Sequence, residues 1–468
     1  MVDHANATAE VSPGHPSAEN YGLHAGVLGP VETLAQSVSA IAPSTSPALT
    51  IPLVFALAGN ATWFVYLLAT VAIFLVGFCV SRFARLSASP GSLYSYTANT
   101  LPPFFGVIAA WGLLLAYLAT GASVAGGALY YANLISHEYL HRSLPAIPAL
   151  VLVCIVPAFI AYRDVKLSAE VMLWIEVVSV SLIVLVLAIL PIRLGLHFDQ
   201  DQFHLKGVSV SALGPALVLS IFSFVGFESA TTLGGEARNP LRTIPRAVLQ
   251  SAILVGVFFV LCSYSEVLGF RGESAQLSES TSPMHHLAEK AGVAPLGTAI
   301  DVGALISTMA CILACTTAAA RVLMRMARGK LLSAVFECTS ERHGTPGAAI
   351  ALSAGLMLAA TLAMHATHFS GSDMYDLLGS LSVFGFLTAY GLVALALPFA
   401  RRAMGQHSHV VAAISILTVV VLILIAVFDL RSTSDAIHAS IPYAYLAYIV
   451  VGALWYILRR KRVEIVAD

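Results

Sequence analysis

Residues 221–246 have the sequence IFSFVGFESATTLGGEARNPLRTIPR. They begin like a membrane helix but contain charged and helix-breaking residues that are unfavourable in the hydrocarbon of a bilayer. The carboxylate of Glu228 follows Gly226 by two residues, and a Gly234–Gly235 pair precedes a basic loop that contains prolines. Each unsatisfied backbone group costs several kcal/mol in hydrocarbon, so irregular backbone survives only around a protected cavity. The stretch therefore predicts a breakable helix whose buried carboxylate could carry a proton.

A second interruption is predicted between Ser37 and Pro52, a segment that holds three prolines and several hydroxyl side chains. Pro43 and Pro47 each remove a backbone donor and clash with the preceding turn. A half-helix that starts again here would present N–H groups and the positive end of its dipole to a carboxylate. A proline kink that exists only for packing is the alternative. The candidate residues are Ala42, Pro43, Ser44, Thr45, Ser46 and Pro47.

The composition places these breaks in a membrane protein. The chain has 468 residues, of which 58% are apolar and only 10% charged, whereas a soluble protein carries about a quarter charged residues. Residues 63–80 and 410–428 contain no charge and are long enough to cross a bilayer of about 30 Å. The net charge of −1 gives no reason to expect nucleic acid as a partner, and the lipid bilayer is the expected surroundings.

We predict an all-α polytopic protein with twelve transmembrane helices, which we call spans 1 to 12. Spans 1 and 6 are the broken ones, and because they are five apart, the second repeat enters the membrane from the opposite side. Matching broken helices indicate a midplane binding site in secondary transporters. The predicted organisation is a mobile cytoplasmic tail (about 1–33), a five-helix repeat (34–194), an inverted five-helix repeat (212–400), two additional helices (409–458) and a basic cytoplasmic tail (459–468). The predicted limits of the spans are about 34–58, 62–83, 103–135, 145–163, 168–194, 212–236, 247–270, 296–327, 347–367, 374–400, 409–429 and 440–458.

The positive charges predict the orientation. With the N-terminus inside, 18 of the 24 Lys and Arg residues lie in cytoplasmic loops or the C-terminal tail. The first 30 or so residues lack the apolar core of a signal peptide, so we expect a cytoplasmic tail there. Both termini are therefore predicted to be cytoplasmic, with the chain in the cell membrane. The sequence does not indicate an oligomeric state.

The region Ser223–Ala247 resembles the sixth-span signature of amino acid permeases in the amino acid–polyamine–organocation (APC) superfamily. Three further regions are similar to that family in the expected order: Ser87–Trp111 after span 2, Tyr162–Val171 leading into span 5, and Ala314–Phe336 with His343–Pro346 around the end of span 8. The resemblance implies the leucine-transporter-type fold and transport of amino acids or related amines.

The resemblance also implies substrate contacts at the break in span 6. Freed carbonyls there would accept the ammonium group of a substrate. Phe222 matches a position that often holds an aromatic lid, with packing as its alternative role. Gly226 would be the hinge, or else a point of close helix contact. The implied contacts are Phe222, Ser223, Phe224, Val225 and Gly226.

Two features depart from the family pattern and affect ion coupling. The span 5 position that holds a coupling lysine in several members is Ser179 here, and the hydroxyls of sodium-coupled members are replaced by Ala318–Ala320. Glu176 lies one turn from Ser179 on the same helical face. We therefore hypothesise that Glu176 or Glu228 carries a coupled proton, although Glu228 could instead be a permanently hydrogen-bonded structural residue.

The remaining charged and metal-ligating residues are interpreted more simply. Glu236 is expected to pair with Arg238 or Arg242, and Glu266 and Asp301 are expected to be interfacial or structural. Ser282 is expected to cap a short outer helix, where His285 and His286 would be solvated. Arg321, Arg325, Arg328 and Lys330 are expected to anchor the cytoplasmic end of span 8, with binding of anionic lipid as the alternative. Cys311 and Cys315 are expected to be small packing residues, and no metal site or cofactor is predicted.

The sequence thus predicts a proton-coupled secondary transporter of amino acids or related amines, working by alternating access. Spans 1, 2, 6 and 7 would rock against spans 3, 4, 8 and 9. An exchanger or facilitator without net ion coupling, a polyamine carrier and a non-transporting receptor remain alternatives. An enzyme is not expected, because no constellation of His, Cys and carboxylates converges in the spans. The sequence also contains no G-x-x-x-x-G-K-[ST] loop that would indicate ATP drive.

Overall fold

The computed structural model describes residues 22–163, 165–195, 198–273, 276–406, 408–432 and 436–459. The predicted tails are only partly covered, because residues 1–21 and 460–468 lie outside the described residues. Ten helical stretches are long and apolar enough to cross a membrane, and Pro30–Ala84 contains two of the predicted spans. Val210–Phe222 is a shorter apolar helix at the predicted position of span 6. The chain is therefore an all-α polytopic membrane protein, as predicted.

The spans have the following limits. Span 1 consists of Pro30–Ile41, a π-helical turn Ser46–Thr50 and Ile51–Ala58, and span 6 consists of Leu213–Phe222 and a 3-10 turn Ser229–Leu233. The others are Thr62–Ala84, Pro103–Leu140, Ala146–Arg163 and Val165–Leu194 for spans 2 to 5, and Pro240–Gly269, Ala294–Arg328, Gly347–Ala366, Gly371–Ala403, His409–Ser432 and Ala436–Arg459 for spans 7 to 12. Short helices Ser92–Ala98 and Pro283–Lys290 lie between spans 2 and 3 and between spans 7 and 8. We call Pro283–Lys290 the loop helix.

Several boundaries differ from the predicted ones for identifiable reasons. Span 1 begins at Pro30 rather than at residue 34, and span 7 begins at Pro240 rather than at 247. Both helices start on a proline, whose missing N–H has no helical partner at that position. Span 10 begins three residues early, because Ser370 and Asp373 form a reciprocal capping box.

The end of the predicted N-terminal tail is held in place by backbone hydrogen bonds. Leu28 donates its N–H to the carbonyl of Glu236 at 3.1 Å and accepts from the N–H of Arg238 at 2.7 Å. Arg238 also donates from Nε to the carbonyl of Gly26 at 3.2 Å. The residues just before span 1 are therefore docked on the loop between spans 6 and 7.

The break in span 1 follows from its prolines. Ala42 ends the first half in the left-handed conformation (φ 51°), with its N–H bonded to the carbonyl of Ser39. The helix resumes at Ser46, and Pro47 occupies its first turn. A backbone N–H at that position would have no acceptor within the helix, so the proline costs no hydrogen bond. The local sequence therefore determines both edges of this break.

The break in span 6 depends on glycines that meet other segments. Gly226 has φ +93°, and a Cβ there would lie 2.8 Å from the Cβ of Ala40 in span 1. A Cβ on Gly234 would lie 2.0 Å from the carbonyl oxygen of Ala88, in the loop after span 2. Only glycine allows both close approaches, so the two broken spans are packed directly against each other.

The packing joins spans of the first half of the chain to spans of the second half. Span 3 packs on spans 9 and 10, and span 8 packs on spans 4 and 5. Span 1 packs on spans 5 and 7, and span 6 packs on spans 10 and 2. The central spans 3, 8 and 10 are about two-thirds buried, whereas spans 4, 9, 11 and 12 are only 28% buried in their most apolar windows. The peripheral spans thus present apolar side chains outward, as a lipid bilayer requires.

Candidate functional site

A small cavity lies where the breaks of spans 1 and 6 meet. Only about 10 Å³ of it is open to the centre of a water molecule, which is roughly the room that one water needs. An amino acid cannot enter without movement of the surrounding segments, so this conformation is closed. The lining residues are Ala40, Ile41, Ala42, Thr45, Ser46, Thr120, Val124, Phe222, Ser223, Val225, Cys311 and Tyr375.

About half of the candidate residues line this cavity. Those that do are Ala42, Thr45 and Ser46 from span 1, and Phe222, Ser223 and Val225 from span 6. The others, Pro43, Ser44, Pro47, Phe224 and Gly226, lie outside its lining. Ser44 instead faces Glu176, and Phe224 packs edge-on against Phe259 of span 7 at 5.2 Å between ring centroids.

Four lining residues come from spans that the sequence could not orient: Thr120, Val124, Cys311 and Tyr375. The hydroxyls of Thr45 and Thr120 are buried and have no hydrogen-bond partner among the described residues. A buried polar group without a partner is costly, and such groups are rare in native structures. These two hydroxyls therefore supply hydrogen-bonding capacity that a ligand in the cavity would satisfy.

Aromatic rings close one wall of the cavity. Phe222 packs edge-on against Tyr375 at 5.4 Å between centroids, and Gly379 leaves room for the Phe222 ring. The hydroxyl of Tyr375 lies 2.8 Å from that of Thr50. Span 10 is thereby linked to the second half of span 1 beside the cavity.

Glu228 lies outside the cavity and is fully buried. Tyr117 of span 3 donates to its Oε1 at 2.8 Å, and Tyr390 of span 10 donates to its Oε2 at 2.5 Å. Each carboxylate oxygen therefore has a hydroxyl donor, which suits an anion held in place. The geometry links the span 6 break to spans 3 and 10, and it leaves both the coupling and the structural role of Glu228 open.

Glu176 is also buried, and it faces the break in span 1. Ser307 of span 8 donates to its Oε1 at 2.6 Å, and Ser44 donates to its Oε2 at 3.4 Å. Ser179 lies one turn further along span 5 and packs against Gly303 of span 8. Glu176 therefore connects span 5, span 8 and the span 1 break, whereas Ser179 does not reach the cavity lining.

The structure corrects the expected partner of Glu236. Arg321 donates to its carboxylate from Nε at 2.8 Å and from Nη2 at 2.5 Å, and both side chains are at most 2% exposed. Local sequence suggested Arg238 or Arg242, but Arg238 is turned toward Gly26. Arg325 is also buried, with its guanidinium 5.7 Å from the ring centre of Tyr94. Arg321 and Arg325 therefore fasten span 8 to its neighbours, and the expected membrane anchor is wrong for these two.

Two further expectations about charged residues are narrowed or corrected. Glu266 was expected to be interfacial or structural, and it is not interfacial, since it is fully buried and neither carboxylate oxygen has a hydrogen-bond partner among the described residues. His285 is not solvated, because its Nδ1 lies 2.6 Å from Asp301, which Ser282 also contacts at 2.6 Å. The hydroxyl of Ser282 therefore bonds to span 8 rather than capping the loop helix. Ligand atoms of Glu138, His285 and Asp301 lie within 4.8 Å of one another, and the bond between His285 and Asp301 ties the loop helix to span 8.

The cysteines differ in their surroundings. Cys311 donates to the carbonyl of Ala40 at 3.2 Å and lies 3.9 Å from Cys315 between sulfur atoms. All six cysteines are unpaired, and only Cys338 is exposed. Cys311 is therefore a lining residue that also packs span 8 against span 1.

Comparisons with known proteins agree with this architecture. Residues 41–468 match the model of the family described as amino acid permease. The methylthioribose transporter of Bacillus subtilis (strain 168) is 26% identical over 311 residues, which cover 62% of this chain and 64% of that protein. The branched-chain amino acid permease BcaP of the same organism is 23% identical over 299 residues, covering 60% and 63%. The low-affinity putrescine importer PlaP of Escherichia coli (strain K12) is 26% identical over 309 residues, covering 63% and 66%.

The matched region thus spans slightly less than two thirds of the first relatives' own length. Among solved structures, a variant of the manganese transporter of Eremococcus coleocola aligns with a TM-score of 0.53 over 98% of both chains, at 14% identity. That likeness concerns the fold alone. Because the family match covers nearly the whole chain, this protein belongs to the amino acid permease family.

Proposed function

We propose that this protein moves a neutral amino acid with an apolar side chain across the cell membrane by proton-coupled alternating access. The observation that carries the proposal is the cavity between the two broken spans, with the unpartnered hydroxyls of Thr45 and Thr120. The substrate carboxylate would bind the N–H groups and hydroxyls of residues 42–47, and its ammonium would bind carbonyls of residues 222–226.

The lining favours a zwitterion over a diamine. Val124, Phe222 and Val225 supply apolar surface for a side chain, and no carboxylate is among the lining residues. A diamine such as putrescine carries a second positive charge, and a buried charge without a partner is costly. The substrate named for BcaP therefore fits this cavity better than the one named for PlaP.

Transport would require spans 1, 2, 6 and 7 to rock against spans 3, 4, 8 and 9. Two contacts that close this conformation cross between the two groups: Gln36 donates to the carbonyl of Ala314 at 3.2 Å, and Glu236 pairs with Arg321. Ser44 of span 1 also donates to Glu176 of span 5, which belongs to neither group. Gly226 is the hinge of the moving group. The predicted orientation, with both termini inside, places the loop helix on the outer surface.

The proposal is tested by a thermal-shift screen of the purified protein against L-leucine, putrescine and methylthioribose. A ligand that binds only the folded state raises the apparent stability, by about 2.7 kcal/mol at a hundred times its Kd. We expect L-leucine to stabilise the protein and putrescine not to. Thr120→Val should abolish the shift, whereas Thr361→Val should not, because Thr361 is a buried hydroxyl that bonds to its own helix in span 9.

Flux in proteoliposomes then separates the mechanisms. Accumulation of L-leucine that follows an imposed pH gradient supports proton coupling. Loss of that accumulation in Glu176→Gln or in Glu228→Gln would assign the coupled proton to the substituted carboxylate. Counterflow that is unaffected by the gradient would favour an exchanger or a facilitator instead. Binding without any flux would favour a receptor.

A further inference from the structure

Glu266 is the most unusual carboxyl group in the described part of the chain. It lies in span 7, is fully buried, and neither of its oxygens has a hydrogen-bond partner there. By contrast, Glu176 and Glu228 each accept hydrogen bonds from two hydroxyl groups. An isolated carboxylate anion is very unfavourable in an apolar interior, so such a group takes up a proton and becomes neutral. The closed conformation therefore accommodates Glu266 only as the neutral acid.

The position of Glu266 connects it to the cavity. Phe259, Cys262 and Glu266 follow one another at helical spacing, so they share one face of span 7. Phe259 packs against Tyr66 of span 2 at 5.7 Å and against Phe224 of span 6 at 5.2 Å. Glu266 therefore lies about two turns beyond this contact, on the face that span 7 presents to the broken helices.

Two tyrosines near Glu266 are bonded to the two broken spans. The hydroxyl of Tyr66 lies 3.0 Å from that of Ser223, which lines the cavity. The hydroxyl of Tyr131 donates to the carbonyl of Ala48, in the second half of span 1, at 3.2 Å. Cys262 lies one helical turn before Glu266, and a negative charge on Glu266 would act electrostatically on both tyrosines and on Cys262.

The loop helix covers this end of span 7. Lys290 donates to the carbonyl of Gly269 at 2.8 Å and pairs with Glu273 at 2.5 Å. His286 packs against Phe270 at 5.0 Å between ring centroids. Displacement of the loop helix would therefore expose the end of span 7 that carries Glu266 to water.

We infer that Glu266 is the binding site of the coupled proton, loaded from the outer side when the loop helix is displaced. This inference rests on the proposed proton-coupled transport. With the proton bound, Tyr66 and Tyr131 keep their bonds to Ser223 and Ala48, and the closed conformation forms. When the proton leaves, the carboxylate competes for the two tyrosine hydroxyls, which loosens both broken spans. Besides these tyrosines and Cys262, the titratable groups of the loop helix are His285, His286, Glu289 and Lys290, and Glu273 lies in the segment before it.

The first test requires no substrate. Infrared spectra of the purified full chain at neutral pH should contain the carbonyl stretching band of a buried, protonated carboxylic acid. We expect Glu266→Gln to remove one component of this band, and Glu176→Gln and Glu228→Gln to retain that component. Should Glu266→Gln unfold, Glu266→Met offers a similar volume without a polar group. A difference spectrum between the wild type and the Glu266 variant that shows no loss of carbonyl intensity overturns the inference.

The second test measures coupling in proteoliposomes with a mixture of radiolabelled L-amino acids. Under an outside-acid gradient the wild type should accumulate label, whereas Glu266→Gln should exchange label at the wild-type rate without accumulating it. Glu266→Asp, which keeps an acid, should restore accumulation. Gradient-driven accumulation by Glu266→Gln would show that the coupled proton binds elsewhere.

The two tests also separate this inference from the proposed function. If the wild type does not respond to the gradient although its infrared band depends on Glu266, the proposed coupling is wrong and only proton binding at Glu266 stands. If the wild type responds and the band does not depend on Glu266, the proposed function stands and the assignment of Glu266 is wrong.

Discussion

The ion pair between Glu236 and Arg321 provides a quantitative test of how the closed conformation is held. Arg321 makes two hydrogen bonds to the carboxylate and a third, from Nη1, to the carbonyl of Thr317 at 3.0 Å. Both charges are almost completely removed from solvent. Removal of one partner of such a pair leaves an uncompensated buried charge, which costs about 3–5 kcal/mol. We expect Arg321→Met to destabilise the protein by that amount.

Span 8 also provides a matched control. Arg328 contacts Glu337 at 3.9 Å, but these side chains are 27% and 43% exposed. Exposed pairs contribute about 0–1 kcal/mol, because water screens them. Arg328→Met should therefore unfold close to the wild type. The double variant Glu236→Gln with Arg321→Met should recover most of the lost stability, since it leaves no buried charge behind.

The cysteines supply the assay. Five of the six are buried, so a thiol-reactive fluorophore reports unfolding as these side chains become accessible, with Cys338 as the background. The variants are compared in one detergent by thermal scans at one heating rate, because unfolding of large proteins is often irreversible. Equal midpoints for Arg321→Met and Arg328→Met would refute the reasoning. A double variant less stable than Arg321→Met alone would refute it as well.

Three further predictions concern single positions. Gly226→Ala should destabilise the protein by about 2–5 kcal/mol, because the backbone is strained at φ +93° and the added Cβ overlaps with Ala40. An unfolding midpoint equal to that of the wild type in the thiol assay would argue against close packing of the two breaks. Phe222→Ala should enlarge the cavity and weaken the thermal shift produced by L-leucine, with Phe222→Leu affected less; equal shifts would mean that this ring does not contact the substrate. Burial opposes ionisation of the Asp199 carboxyl group. Hydrogen bonds, the largest of them from Arg271, together outweigh this effect and lower the pKa of Asp199. Its stabilising contribution is therefore present above the usual carboxyl pKa and lost as the pH falls through the lowered value, and Asp199→Asn should lack this acid-dependent part of the stability profile measured by the thiol assay.

The two helix breaks could be predicted because their causes are local. Pro43 and Pro47 cannot continue a helix in the ordinary way, and Gly226 permits a backbone conformation that other residues avoid. Such effects depend on a residue and its immediate neighbours. A cavity at the junction of spans 1 and 6 could therefore be expected, although the sequence did not distinguish Thr45, which lines the cavity, from Ser44, which faces Glu176.

The lining residues of the unbroken spans could not be predicted in the same way. Spans 3, 8 and 10 are apolar around most of their circumference, so the pattern does not indicate which side faces the centre. Thr120 and Tyr375 were placed in the cavity only by the packing of these helices. The partner of Glu236 could not be predicted for a similar reason, since Arg321 lies 85 residues away in the chain and two other arginines are nearer.

The sequence by itself determined the membrane environment, the helical class and the two broken spans, because hydrophobic length and the special backbone chemistry of proline and glycine act over a few residues. Only the tertiary structure decided which polar groups meet. It gave Glu228 two tyrosine donors, gave Glu236 a buried arginine and left Glu266 without a partner among the described residues. Burial and hydrogen bonding depend on several spans packed together. The surroundings of a carboxylate within an apolar segment are therefore known only when the packing of the neighbouring spans is known.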